Sequence, residues 1–99
     1  MITFIVRNEE SPDSPKEYSF EKKLIKIGRL DENDIILKEN YISRQHFLVI
    51  YDEGKYKIID TSKNGTLLNG ELLSRDQEKI LKTGDNIKIG DFSINVIIK

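Results

Sequence analysis

Apolar residues in this chain fall in short runs of alternating character, separated by polar turns. Residues 2–6, Ile-Thr-Phe-Ile-Val, put Ile2, Phe4 and Val6 on one face of an opening strand. Residues 8–15 hold both prolines among acids and serines, the composition of a loop. Residues 17–20 and 24–27 predict an antiparallel pair across the charged turn Glu21-Lys22-Lys23. A short strand is expected at 35–37, and two longer ones at 47–51 and 56–60 flank the hairpin signal Asp52-Glu53-Gly54. A strand at 66–68 runs into the tight turn Asn69-Gly70. Between 71 and 81, Leu72, Leu73, Ile80 and Leu81 leave a polar gap that fits one helical face poorly, so strand, loop and short strand are expected. After the turn at Gly84-Asp85, residues 86–89 and 92–98 form a closing hairpin over Gly90-Asp91. Ile87 and Ile89, and likewise Phe92, Ile94, Val96 and Ile98, recur there at period two.

About eleven short strands without an amphipathic helix predict an all-β fold, a sandwich or barrel, taken here as a two-sheet antiparallel β-sandwich. A sandwich gathers its loops at its two ends, and direction reverses at each hairpin. The turns after Ile27, before Phe47 and after Asp60 then share one end.

Composition narrows the functions available. Ninety-nine residues, 37% of them hydrophobic, predict one domain over 1–99 with a modest core. No run is long enough to span a membrane, and Met1 leads into residues 2–6 without the basic start or cleavage site of a secretory signal. A soluble, cytoplasmic domain is expected. With no cysteine, thiolate metal sites and cysteine nucleophiles are excluded. The net charge of −1 argues against nucleic-acid binding, which relies on a clustered basic excess, but leaves room for a local basic pocket. The acidic stretches at 31–34 and 52–53 read as solvated turns, too sparse in oxygen ligands for calcium. Neither a metal nor a cofactor is expected.

The candidate chemistry is concentrated in three loops. Ser43-Arg44-Gln45-His46 sets a hydroxyl beside a guanidinium at the mouth of the strand 47–51, and it contains the one histidine of the chain. Gly28-Arg29 ends the run 24–27, and Asn64-Gly65 follows Lys63 in a loop. Cationic and hydroxyl donors on converging loops suit a phosphate, which makes charge-assisted hydrogen bonds with them. Taken singly, Arg29, Arg44 and Lys63 read as solvated charges, Ser43 as a turn cap and Asn64-Gly65 as a turn. His46 has no second histidine with which to share a metal and no obvious nucleophile to activate.

Taken in order, Gly28-Arg29, Ser43-Arg44-Gln45-His46, Asn64-Gly65-Thr66 with Asn69-Gly70, and Gly84-Asp85-Asn86-Ile87 resemble the signature of the forkhead-associated (FHA) domain. That family pattern is Gly-Arg, Ser-x-x-His and an Asn-Gly turn on a β-sandwich of this size. The resemblance implies recognition of phosphothreonine in a partner protein rather than catalysis. It assigns Arg29 and Ser43 to the phosphate, with Arg44 and Lys63 at positions that often add a phosphate contact, and Asn64 to the main chain of the peptide. It implies structural roles for Gly28, which permits a turn, for His46, which braces the loops, and for Gly65. Lys38, Asn40 and Tyr41 stand where family members select residues C-terminal to the phosphothreonine.

Two other functions compete with this one. The first is a domain of the same fold that assembles with partners without reading phosphate. A small hydrolase using Ser43 and His46 is disfavoured, because no third orienting group or oxyanion hole is evident.

Overall fold

In the computed structural model the alternation of residues 2–6 is realised in β1 (Ile2–Asn8), where Ile2, Phe4 and Val6 are buried and the residues between them are not. The structure describes residues 1–11 and 13–99; Pro12, within the loop expected over 8–15, lies outside the described residues. Ten further strands follow: β2 (Lys16–Phe20), β3 (Leu24–Gly28), β4 (Ile35–Ile36), β5 (Phe47–Asp52), β6 (Lys55–Asp60), β7 (Leu67–Leu68), β8 (Glu71–Leu72), β9 (Glu78–Ile80), β10 (Asn86–Ile89) and β11 (Phe92–Ile98). They form two sheets, ordered β2-β1-β11-β10-β7-β8 and β4-β3-β5-β6-β9. Ile2, Phe4, Ile87, Ile94 and Val96 from the first meet Ile25, Ile27, Phe47, Val49 and Ile58 from the second in one core. Each fully buried side chain of this kind stabilises the fold by about 1.5–3 kcal/mol. Among the described residues no helix is long and apolar enough to cross a membrane.

The antiparallel pair expected from residues 17–20 and 24–27 does not form. β2 pairs with β1, and β3 pairs with β5 in the other sheet, so residues 21–23 carry the chain between sheets. Tight hairpins favour Gly, Asn or Asp at their positive-φ positions, and Glu21-Lys22-Lys23 contains none of these, whereas the turn after Asp52 has Gly54. The crossover is held from the second sheet instead: Tyr51 N–H donates to Lys23 O at 2.9 Å and Lys22 reaches Asp34 at 2.5 Å. The Glu53-Gly54 and Asn69-Gly70 turns, by contrast, have both residues in the left-handed region and close true two-residue hairpins. Residues 71–81 are strand, loop and short strand as expected, though β8 and β9 belong to different sheets.

One pair departs from the antiparallel expectation. β4 runs parallel to β3, Ile27 opposite Ile35 and Gly28 opposite Ile36. Asp34 turns the chain back to make this possible, its N–H donating to Lys26 O and its carboxylate accepting from Lys26 N–H, both at 2.8 Å.

Register decides where the functional loops leave the sandwich. Ile27 at the end of β3 faces Phe47 at the start of β5, and Phe47 faces Asp60 at the end of β6. The three loops that start or stop at this row therefore emerge side by side at one end.

Candidate functional site

Backbone hydrogen bonds lace the first two loops together. Arg29 N–H donates to Ser43 O at 3.0 Å, Leu30 N–H to Arg44 O at 3.3 Å, and His46 N–H to Ile27 O at 2.7 Å. That closeness explains Gly28: a Cβ there would lie 2.3 Å from Arg44 O and 2.9 Å from Asn33 Nδ2. Gly28 ends a strand and is not among the positive-φ residues, so the glycine provides space for the neighbouring loop rather than permission for a turn. Buried Asn33 adds to the lacing, its Nδ2 donating to both Leu30 O and Arg44 O.

His46 joins the second loop to the third. Its Nδ1 accepts from Ser43 N–H at 3.0 Å and its Nε2 lies 2.9 Å from Gly65 O. Both bonds form only in the neutral tautomer with the proton on Nε2. The imidazole is fully buried, and burial pushes its pKa down against the opposing pull of the Gly65 carbonyl and Asp60. The same geometry removes the hydrolase alternative, because His46 binds the Ser43 main chain and never its hydroxyl. A pH dependence follows. Below the ordinary value of 6.5 the unfolded chain binds a proton that the folded site resists, so the stability present above that pH is lost as pH falls through the lowered folded value. With one histidine in the chain, this loss should appear as a lower melting temperature between about pH 7 and about pH 5.5. An unchanged melting temperature across that interval would contradict the bracing role.

The third loop folds around a residue that the sequence pattern did not single out. Asp60 Oδ1, buried, accepts from Ser62 N–H at 3.0 Å, Ser62 Oγ at 2.6 Å and Thr66 Oγ1 at 2.9 Å. Ser62 Oγ in turn accepts from Gly65 N–H at 2.8 Å. An acid closing an apolar strand and followed by Ser and Thr is an Asx-turn signal that could have revealed it.

This loop then reaches across to the second. Lys63 N–H donates to Ser43 Oγ at 2.9 Å, which occupies an acceptor lone pair and leaves the hydroxyl proton available. Asn64 Nδ2 donates to Tyr41 O at 2.8 Å, leaving Oδ1 and the second amide hydrogen for other partners. Tyr41 is itself anchored: its ring packs where any Cβ on Gly90 would fall, and burial, with the nearby acids Asp91, Glu39 and Glu10, raises its phenol pKa.

The outcome is an open cleft of about 490 Å³. Arg29, Ser43, Arg44, Lys63 and Asn64 line it together with Asn40, Tyr41 and Gln45, the last not expected as a site residue. Gly28, His46 and Gly65 are not among the lining residues. Lys38 lies outside the cleft, paired with Asp31 at 2.5 Å. Arg29 Nε donates to Ile42 O at 3.0 Å, which aims the guanidinium while leaving its terminal N–H groups unassigned. Among the described residues neither Arg29, Arg44 nor Lys63 has a carboxylate within ion-pair distance, whereas five other lysine–acid pairs form. Three uncompensated cations around a hydroxyl and an amide are a donor set suited to an anion.

Comparison with known proteins agrees with this geometry. The family model of the FHA domain matches residues 25–90. Germ layers disorganized gldi-3 of Caenorhabditis elegans is 40% identical over 77 residues, covering 65% of this chain and 8% of that protein. The meiosis-specific serine/threonine-protein kinase MEK1 of Saccharomyces cerevisiae is 38% identical over 78 residues, covering 72% of this chain and 16% of the kinase. The chain thus spans only a small part of the length of these relatives. The N-terminal FHA domain of Saccharomyces cerevisiae Rad53p, solved in complex with a phosphothreonine peptide, superposes with a TM-score of 0.81 at 26% identity, over 98% of this chain and 94% of that one.

Proposed function

Because this chain belongs to the FHA domain family, we propose that residues 1–99 act as one unit that binds phosphothreonine in a partner protein. The observation that carries this reading is the set of three cations, Arg29, Arg44 and Lys63, left without carboxylates around the Ser43 hydroxyl on a chain of net charge −1. A phosphate brings roughly −1.5 to −2 charges and three acceptor oxygens, which match this donor set. Arg29 and the Ser43 hydroxyl hold the phosphate, Arg44 and Lys63 add to its neutralisation, and the free part of the Asn64 amide bonds the peptide main chain. Hydrogen bonds already tie the three loops to one another, which favours affinity by reducing the ordering needed on binding.

The unit recruits and does not catalyse: His46 has both nitrogens engaged with backbone groups. The partner is a substrate of a serine/threonine kinase, and the setting is cytoplasmic signalling. The preference for phosphothreonine is supported by the peptide in the Rad53p complex. Titration with one threonine-centred peptide in three forms, phosphothreonine, phosphoserine and unmodified, tests it. Binding confined to the phosphothreonine form, at micromolar Kd or about 8 kcal/mol, is expected. Equal binding of the unmodified peptide would assign the domain to phosphate-independent assembly instead.

A further inference from the structure

Past Arg29 and Asn40 the cleft continues into a second hollow of about 310 Å³, also lined by Leu30, Asp31, Lys38 and Glu39. Its charges are unequally committed. Arg29 belongs to the phosphate site and is already tied to Ile42 O. Lys38 neutralises Asp31. Glu39 is exposed and has no cation partner among the described residues; of the two lining charges outside an ion pair, Arg29 is taken by the phosphate and Glu39 is left. Its backbone is nonetheless fixed, with its N–H donating to Leu37 O at 3.2 Å and its carbonyl accepting from Ile42 N–H at 3.0 Å. Leu30 adds exposed apolar surface to the same hollow.

From this arrangement we infer that the domain selects a phosphothreonine peptide with a lysine or arginine in the flank that crosses this hollow, the cation meeting Glu39 and the aliphatic stem lying on Leu30. The inference rests on the phosphothreonine reading above. Long basic side chains lay an apolar stem along such a surface while the charged head stays in water. Arg44 and Lys63 line the phosphate cleft but not the hollow, and Arg29, which lines both, is neutralised by the bound phosphate, so a basic residue would meet like charge beside Arg44 and Lys63 rather than beside Glu39. The preference is therefore positional rather than a general taste for basic peptides. Three neighbours in one short segment thus have separate tasks: Lys38 cancels Asp31, Glu39 reads charge, and Tyr41 anchors the loop.

A phosphothreonine-centred peptide array in which each flanking position is replaced in turn by lysine, alanine or glutamate tests this on the wild-type domain and on Glu39→Gln and Glu39→Lys. One flank position should favour lysine over glutamate by about two- to five-fold in wild type, the scale of a single exposed ion pair. That preference should vanish in Glu39→Gln, invert in Glu39→Lys, and shrink in high salt. Phosphothreonine binding with no basic preference, or with one untouched by Glu39→Lys, would overturn the inference and leave the phosphothreonine function standing. Loss of every phosphothreonine peptide by the folded wild-type domain would instead remove the function itself, and this inference with it.

Discussion

Replacing Arg29 with alanine is expected to weaken phosphothreonine-peptide binding by at least about 2 kcal/mol, roughly thirty-fold, and to leave the domain folded. Its guanidinium is half-exposed, lines the cleft, and makes one intramolecular side-chain bond, from Nε to Ile42 O. Losing that single bond costs about 1 kcal/mol, which a domain with 5–15 kcal/mol of stability tolerates. Binding loses more, because the phosphate gives up a charged partner whose forked donors are aimed before the ligand arrives. Arg29→Lys separates charge from geometry: a single ammonium cannot hold Ile42 O and also offer a planar fork, so partial recovery is expected. Calorimetric titration of both variants, beside their melting curves, measures the two effects independently. An unchanged Kd in Arg29→Ala would mean that the cleft is not the phosphate site.

Asp60→Ala should produce the larger loss of stability. Three donors converge on its buried Oδ1, and truncation leaves the Ser62 N–H, the Ser62 hydroxyl and the Thr66 hydroxyl unpaired in the interior. At about 1 kcal/mol or more for each orphaned group, the variant should lose about 3 kcal/mol, lowering the melting temperature by 10 °C or more for a domain of this size. Asp60→Asn keeps one acceptor oxygen and should fall between the two. Affinity should also decline at temperatures where Asp60→Ala remains folded, since Lys63 and Asn64 depend on the same loop to reach Ser43 and Tyr41. A melting temperature within about 2 °C of wild type would show that the loop does not rely on this carboxylate.

Much of the architecture was legible because strand alternation is a local property. Period two in residues 2–6, 86–89 and 92–98 identified inward-facing side chains that are buried in the structure, Ile98 being only partly so. The shared end of the three loops followed from strand reversal and agrees with the row Ile27, Phe47, Asp60. Pairing partners were less legible. Two neighbouring strands with a charged turn read as a hairpin, but choosing between sheets depends on which edge is free, and no window of sequence contains that information. The parallel β3–β4 contact was hidden for the same reason.

In the site, the order of short motifs identified the loops, and residue type identified the donors. Chemistry of this kind is carried by the side chain itself and so survives in one dimension: a guanidinium, a hydroxyl and an amide remain donors wherever the chain puts them. What those groups are free to do was decided only by the fold. Lys38 and Arg44 are both lone cations in sequence, yet Asp31 claims the first and nothing among the described residues claims the second. Gly28 looks like a turn residue until Arg44 O is seen at its back. His46 reads as a brace from the sequence, but which groups it ties together, the Ser43 N–H and the Gly65 carbonyl, appears only in the fold. Charge compensation and steric approach are sums over neighbours distant in the chain. The sequence alone therefore determined which groups this protein can offer a phosphate, and the tertiary structure decided which of them remain unspent.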